Sequence, residues 1–145
     1  MFLKPKFSAS LDRSQTSTRG ILSSSLLFSA LDFQRLSKSV GTVGLNWLDF
    51  ENKSCGVGYW ISEHQTGQGI VTRSCSRLID HCFNDLNLHR FVLEASVENV
   101  ASCNVADRLG MRLEGVNKDR EWLYNRYVDG KMYAITKPEW LSASD

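Results

Sequence analysis

Two glycines separated by one residue, Gly67 and Gly69, lie in the stretch EHQTGQGIVTR, between a predicted strand and a predicted helix. A helix N-terminus presents unpaired N–H groups and about half a unit of positive charge. Glycines let several of these N–H groups turn toward one anion, and Thr72 and Arg73 add a hydroxyl and a cation. The stretch is therefore suited to a diphosphate. A Gly-x-Gly turn before a helix is also a common structural turn, so these residues alone leave both interpretations open.

The elements around this turn follow from hydrophobic periodicity. The segments GTVGLNWLDF and NKSCGVGYWIS alternate as strands do and flank a polar turn at residues 51–53. Apolar residues three and four positions apart over residues 70–86 predict one face of a helix. The segment RFVLEASV is rich in β-branched and alternating residues, which predicts a third strand.

The second half of the chain continues the alternation of helix and strand. Asn99 is a predicted N-cap for a helix over residues 100–109, and Gly110 is placed where helices end. The remaining residues predict two or three strands, with Asp129-Gly130 as a hairpin turn. Because strands and helices alternate, we expect a mixed α/β sheet with helices packed on its faces.

Composition narrows the classes of function. The chain of 145 residues fits one domain, and its net charge of +1 gives no bulk electrostatic case for nucleic acid. No apolar run approaches the roughly 20 residues that a membrane span needs. The chain has four cysteines: Cys55, Cys75, Cys82 and Cys103. No pair of them has CxxC spacing and no histidines cluster near them, so we expect no metal site. We expect their thiols to be reduced, as in a cytoplasmic protein.

The first residues differ in composition from the rest of the chain. Residues 1–30 contain eight serines and four basic residues but a single acid, Asp12. This composition is typical of an organelle transit peptide. The alternative is a poorly ordered tail, or a short helix over residues 21–36 that supplies some apolar surface. We therefore divide the chain into an atypical segment of residues 1–39, a domain of residues 40–141 and a tail of residues 142–145.

Several motifs occur together in one order: GYWISEHQTGQGIVTRS, LHRFVLEASVENVASCNVADRLGM, LEGV and EWLYNRYVDGKMYAITKPEW. In this combination, over residues 41–140, the chain resembles the GNAT superfamily of acetyl-CoA-dependent N-acetyltransferases. It is most similar to the branch that acetylates the N-terminal amine of ribosomal proteins. The resemblance implies a mostly antiparallel sheet with a central splayed strand pair and helices on both faces. It also implies acetyl-CoA as co-substrate, a protein or peptide amine as acceptor, and a monomer or homodimer.

The resemblance also implies which residues contact the cofactor. Residues 66–71 match the superfamily's pyrophosphate loop, with Thr66 and Val71 in place of its usual first and last residues. Gln65 is one position from the loop's first residue. The strand before the loop would hold the pantetheine amides, and Asn99 would reach the pantetheine arm. The implied cofactor-binding set is Trp60, Ile61, Ser62, Gln65, Thr66, Gly67, Gln68, Gly69, Ile70, Val71, Thr72, Asn99 and Asn104.

Two residues carry the implied chemistry, a direct attack of the amine on the thioester within a ternary complex. Ser102 matches a serine placed near the thioester sulfur, and Glu121 matches an acid placed as base. Each has a simpler interpretation: Ser102 as a first-turn serine, and Glu121 as a solvated carboxylate paired with Arg120 or Arg126. Tyr124 and Tyr127 are alternative donors to the thiolate.

Three functions of different classes follow. The chain is an active N-acetyltransferase, an acyl-CoA-binding remnant that lacks a complete acceptor site, or a partner-binding α/β module that uses neither.

Overall fold

A computed structural model describes residues 40–143, which form one sheet with helices. The predictions for residues 1–39 and for the last two residues lie outside this described part. Its elements are β1 (Gly41–Asp49), β2 (Ser54–Ile61), α1 (Ile70–Asn84), β3 (Arg90–Ser96), α2 (Val100–Arg108), β4 (Arg112–Leu123), β5 (Arg126–Thr136) and α3 (Lys137–Ser142). The strand order is β1-β2-β3-β5-β4, and only β2 and β3 run parallel. The predicted mixed, mostly antiparallel sheet is confirmed.

The hydrophobic core lies on one face of the sheet. Strand residues of alternating position, among them Cys55, Phe91 and Tyr133, form one cluster with buried residues of both α1 and α2. The helix faces follow the predicted spacing: Cys75, Ile79, Cys82 and Phe83 are the buried residues of α1. Within residues 40–143, helices α1 and α2 therefore pack on the same face. Because successive strand residues point to opposite faces, the core residues of the strands share one face, and they contact both α1 and α2.

The central parallel pair separates partway along its length. Pairing between β2 and β3 ends at Val57 and Leu93, although β2 continues to Ile61 and β3 to Ser96. Beyond that point β2 pairs only with β1, and β3 pairs only with β5. The predicted splayed pair is confirmed, and a gap opens between the outer ends of the two strands.

The turn between β4 and β5 differs from the prediction. The chain reverses at Tyr124 and Asn125, whose φ angles are 51° and 61°. Two successive positive φ values are typical of a type I′ hairpin turn, in which asparagine is well tolerated. Asp129 and Gly130 lie inside β5 instead, and the Asp129 carboxylate accepts hydrogen bonds from Lys118 and from the Asp119 backbone. The Asp-Gly pair was therefore a misleading turn signal.

A short C-terminal helix was not predicted. Helix α3 begins with a capping box between Thr136 and Glu139, and Trp140 donates a hydrogen bond to the Asp80 carboxylate at 2.8 Å. Six residues are too few for a periodic pattern, so its position depends on this cap and on the contact with α1.

The four cysteines are buried and unpaired, as predicted. The Sγ atoms of Cys55 and Cys82 lie 3.8 Å apart in the core. In residues 40–143 no helix has the length and hydropathy to cross a membrane. The same residues contain no group of histidine, cysteine, aspartate or glutamate suited to a metal ion.

Candidate active site

The candidate site lies at the edge of the sheet where the parallel strands end. Because β2 and β3 run parallel, the segments that follow them, residues 62–69 and 97–99, leave the sheet at the same edge. Each segment leads directly into a helix, α1 or α2. Two helix N-termini therefore flank the gap between the splayed strands, an arrangement that binds ligands in many open α/β sheets.

The loop before α1, residues 65–69, has the backbone geometry of an anion site. Gly67 and Gly69 have φ angles of 74° and 70°, in the left-handed region that glycine tolerates. The backbone N–H groups of residues 67–72 donate no hydrogen bond to the part of the chain that the structure describes. These successive free donors stand at the positive end of the α1 dipole, which favours an anionic ligand.

Local hydrogen bonds hold this loop in place without using those N–H groups. The Thr66 hydroxyl donates to the Glu63 carbonyl at 2.8 Å, and the Arg73 guanidinium donates to the Gln68 carbonyl at 2.9 Å. A Cβ added at Gly69 would lie 3.0 Å from Arg73 Nη1, whereas one added at Gly67 would meet no described atom within 4 Å. The space beside Gly67 is therefore open for a ligand.

The strand residues predicted beside the loop lie next to it. Trp60 and Ile61 line a small pocket together with Ile70 and Val71, where the end of β2 meets the start of α1. Ser62 follows directly and its backbone N–H donates to the Val40 carbonyl at 2.7 Å. Of the remaining predicted residues, Gln65 is half-buried and Thr72 lies in the first turn of α1.

Asn99 is the N-cap of α2, as predicted. Its side-chain oxygen accepts a hydrogen bond from the Ser102 backbone N–H at 3.1 Å. This cap leaves the Asn99 side-chain NH₂ group available to another partner. Asn104 lies two residues after Ser102 on the exposed side of α2.

Ser102 has a neighbour that the sequence interpretation missed, Tyr59 of β2. The Tyr59 hydroxyl is buried and has no hydrogen bond of ordinary geometry in the described chain. Burial raises the pKa of Tyr59 to about 12, and the adjacent Ser102 hydroxyl opposes that rise. The available signal was the inward position of a tyrosine in an alternating strand, because a buried phenol needs a polar partner.

Glu121 is an exposed carboxylate with no hydrogen bond or ion pair to residues 40–143. The two arginines considered as its partners bind other acids: Arg120 binds Glu94, and Arg126 binds Glu98, each at 2.7 Å. The paired interpretation of Glu121 is therefore wrong. Its carboxylate remains free to accept a proton.

Glu121 and Ser102 are placed on opposite faces of the sheet. Glu121 pairs with Val128 of β5. Successive residues of a strand point to opposite faces, so Val128 and Glu121 lie on the face opposite to the core residues Tyr133 and Ile135. The ion pair between Arg126 and Glu98 nevertheless joins the end of this hairpin to the segment before α2. The carboxylate and the hydroxyl thus belong to opposite faces of the sheet, and Glu121 lies on the edge strand β4.

The tyrosines considered as alternative donors lie at the exposed end of the hairpin. Tyr124 and Tyr127 are both 61% exposed, and the Tyr127 ring meets Trp122 edge-on at 4.8 Å between ring centroids. Neither tyrosine belongs to the buried cluster around Ser102. Together with Trp122 they form an exposed aromatic surface at the end of the hairpin.

Comparison with known proteins agrees with this geometry. Residues 8–112 match the profile of a family described as Acetyltransferase (GNAT) domain. The chain belongs to the GNAT acetyltransferase family. The GNAT match begins before the described residues and includes the glycine loop, the splayed strands and α2.

Relatives of known name include ribosomal-protein acetyltransferases. The chain is 38% identical over 95 residues to the ribosomal-protein-serine acetyltransferase of Escherichia coli (strain K12), covering 66% of this chain and 53% of that protein. A solved RimL ribosomal L7/L12 alpha-N-protein acetyltransferase, in complex with coenzyme A, superposes with a TM-score of 0.64 at 38% identity. This match covers 66% of this chain and 54% of the other.

Other GNAT neighbours act on a different amine. A spermidine N-acetyltransferase SpeG variant from Vibrio cholerae superposes with a TM-score of 0.69 at 26% identity, over 73% of this chain and 63% of the other. The chain spans about half the length of the curated relatives it matches.

Proposed function

We propose that this chain is an N-acetyltransferase that moves an acetyl group from acetyl-CoA to the N-terminal amine of a protein, with ribosomal proteins as the first candidates. The observation that carries the proposal is the run of free N–H groups over residues 67–72, at the same sheet edge as the splayed strands. A diphosphate would accept hydrogen bonds from these N–H groups, and the pantetheine arm would pass from it into the gap between β2 and β3.

The predicted cofactor residues have distinct proposed roles. The backbone of Gly67, Gln68 and Gly69 would bind the pyrophosphate, with Gln65 and Thr66 shaping the loop. Ile70, Val71 and Thr72 would add the N–H groups of the first helical turn. The pantetheine arm would then lie along Trp60, Ile61 and Ser62 and reach Asn99, with Asn104 at the outer side of α2.

The chemistry assigned to the site is direct aminolysis of the thioester. The amine nitrogen bonds to the carbonyl carbon, the C–S bond breaks, and sulfur keeps the electron pair. Ser102 would donate a hydrogen bond to that sulfur, and Glu121 would take a proton from the amine, directly or through water. An α-amine has a pKa near 8, so a carboxylate is a sufficient base, whereas a lysine amine near 10.4 would need a stronger one.

The charge distribution favours a single amine over a polyamine as acceptor. A polyamine carries several cations and would need several free carboxylates beside the reacting group. Here Glu94 and Glu98 are neutralised by arginines and Asp129 by Lys118. Glu121 and Asp119 are the carboxylates of this hairpin without an ion pair among residues 40–143. Two free acids suit the single amine at the start of a peptide chain better than the several cations of a polyamine.

A second function is a candidate because the described residues place Glu121 and Ser102 on opposite faces of the sheet. An acyl-CoA-binding remnant without a complete acceptor site would share the same loop. Both proposals require acetyl-CoA binding, and only the first requires transfer.

Calorimetry and a thiol-release assay separate these proposals. Calorimetric titration with acetyl-CoA should give one site per chain, and no binding would contradict both acetyl-CoA functions. Thiol release with peptides that begin with serine or alanine then tests transfer, with the same peptides blocked at the N-terminus as controls. Release that exceeds spermidine-dependent release supports the peptide acceptor, and binding without release supports the remnant.

A further inference from the structure

Arg73, in the first turn of α1, makes two contacts with the glycine loop that precedes it. Its guanidinium Nη1 donates a hydrogen bond to the Gln68 carbonyl at 2.9 Å, and its backbone N–H donates to the Gly69 carbonyl at 3.0 Å. Arg73 therefore holds both peptide units that flank Gly69, one through its side chain and one through its backbone. A Cβ added at Gly69 would lie 3.0 Å from the same Nη1 atom, so the guanidinium lies close to this glycine.

These two hydrogen bonds fix the direction of the neighbouring N–H groups. In a planar trans peptide the C=O and N–H bonds point in opposite directions, and no peptide bond among the described residues is cis. Because the Gln68 carbonyl points at the Arg73 guanidinium, the N–H of Gly69 points away from it. Because the Gly69 carbonyl accepts from the Arg73 N–H, the N–H of Ile70 points out beyond the start of α1. Both N–H groups belong to the run that donates no hydrogen bond within residues 40–143.

The loop requires such a restraint because glycine permits the opposite orientation. Gly69 has a φ angle of 70°, and glycine adopts positive and negative φ about equally readily. Rotation of the Gln68–Gly69 peptide would reverse its C=O and N–H bonds and change the φ of Gly69 to a negative value. In that orientation the contact with the guanidinium is lost, and a carbonyl oxygen replaces the N–H group on the side of the anion site.

We propose that Arg73 is a positioning residue that holds the Gln68–Gly69 peptide so that the Gly69 N–H faces the diphosphate of acetyl-CoA. This inference rests on the proposed acetyl-CoA site. The sequence indicated Arg73 as a cation for the diphosphate, whereas in the fold its Nη1 group binds a carbonyl of the loop itself. A loop that occupies the binding orientation for only part of the time binds its ligand more weakly by that fraction.

Calorimetry with acetyl-CoA measures the loss of this restraint. Arg73→Met keeps an unbranched side chain without the donor, and should raise the Kd about threefold to tenfold, the effect of one hydrogen bond. Arg77→Met is the matched control, because Arg77 is exposed on the next turn of α1 and has no ion pair among residues 40–143. At about 0.5 M salt, where exposed charges are screened, Arg77→Met should change the Kd less than about twofold and Arg73→Met should keep its effect. Equal Kd values for the wild type and Arg73→Met at this salt concentration would overturn the proposal.

A double-mutant cycle with Gly69 separates positioning from direct pairing with phosphate. Gly69→Ala disfavours the positive φ and crowds the guanidinium, so it favours the reversed peptide. In that background Arg73→Met should raise the Kd by less than about twofold, because the restraint is already lost. Gly110→Ala, at a φ angle of 69° after α2, is the control background in which Arg73→Met should keep its full effect. A guanidinium that paired with phosphate directly would act in both backgrounds, so an additive cycle with Gly69→Ala would overturn the proposal.

A thioester without the diphosphate shows whether the effect belongs to the phosphate loop. S-acetylpantetheine has the pantetheine arm and the thioester but no phosphate. In the thiol-release assay, Arg73→Met should lower kcat/KM for acetyl-CoA about threefold to tenfold, through KM, with kcat unchanged. The same variant should leave kcat/KM for S-acetylpantetheine within about twofold of the wild type. A general structural defect would lower both values equally, and that result would overturn the positioning role.

These tests separate the inference from the proposed function, because calorimetry requires no transfer. Weaker binding by Arg73→Met, with no transfer by the wild type, would support the positioning role and contradict the transferase. Transfer by the wild type, with an unchanged Kd in Arg73→Met, would do the reverse. A chain that binds no acetyl-CoA would contradict both.

Discussion

A carboxylate placed at Gly67 should expel the cofactor by charge alone. The φ angle of Gly67 is 74°, and an added side chain meets no described atom within 4 Å, so a carboxylate has room within the loop whose free N–H groups form the proposed phosphate site. Two unit charges about 5 Å apart repel by about 3 kcal/mol at an effective dielectric constant of about 20. With screening in an exposed loop, we expect Gly67→Asp to weaken acetyl-CoA binding about 30-fold to 100-fold.

Two matched variants separate charge from backbone strain and from position. Gly67→Asn has the same shape and the same positive φ without the charge, so its Kd should stay much closer to the wild type. Gly110 has a φ angle of 69° and equally open surroundings, but it follows α2 at the far end from the site. Gly110→Asp should therefore show similar strain and an unchanged Kd.

Isothermal calorimetry with acetyl-CoA at two salt concentrations measures these effects. The ratio of the Asp to the Asn dissociation constants at position 67 should shrink at high salt, because exposed charges are screened within about 10 Å at 0.1 M. Equal dissociation constants for the wild type, Gly67→Asp and Gly67→Asn would refute the phosphate assignment.

Three further predictions concern the proposed chemistry and the stability of the fold. Ser102→Ala should lower kcat about tenfold in steady-state assays, with the calorimetric Kd for acetyl-CoA within about twofold of the wild type. Glu121→Gln should lower kcat/KM by about 10-fold to 100-fold at pH 7, with a smaller deficit at pH 9, where an α-amine loses its proton unaided. Hydrogen bonds from Arg90 foremost, and from Arg112, lower the pKa of Glu114 to about 2. The stability that the ionised Glu114 contributes is therefore present above pH 4.5 and is lost as the pH falls toward 2. Glu114→Gln should lower Tm by about 2–4 °C at pH 7 and by nothing near pH 2, as measured by circular dichroism.

Local signals in the sequence predicted the elements and the glycine loop. The spacing of apolar residues defined α1 to within two residues of its end, and Asn99 and Gly110 marked both ends of α2. These signals are reliable because a cap or a positive φ depends on the residue at that position and its immediate neighbours. The splay between β2 and β3 came from family resemblance, since strand pairing has no local signature.

Contacts between distant residues could not be predicted in the same way. Arg120 and Arg126 are near Glu121 in sequence but bind Glu94 and Glu98, which the sheet brings alongside. Tyr59 and Ser102 are separated by an intervening helix and strand, and only the fold places the phenol beside the serine. The hairpin turn was misplaced for a related reason: Asp129 satisfies its carboxylate with partners across the strands and not within a turn.

Mass spectrometry of an acceptor peptide tests the central claim most directly. A peptide that begins with serine, taken from the N-terminus of a ribosomal protein, is incubated with the chain and acetyl-CoA beside an equal concentration of spermidine. We expect one acetyl group on the peptide α-amine, none on an internal lysine and little on spermidine. Acetylated spermidine with an unmodified peptide would contradict the proposed acceptor, and no acetylated product at all would contradict the transferase.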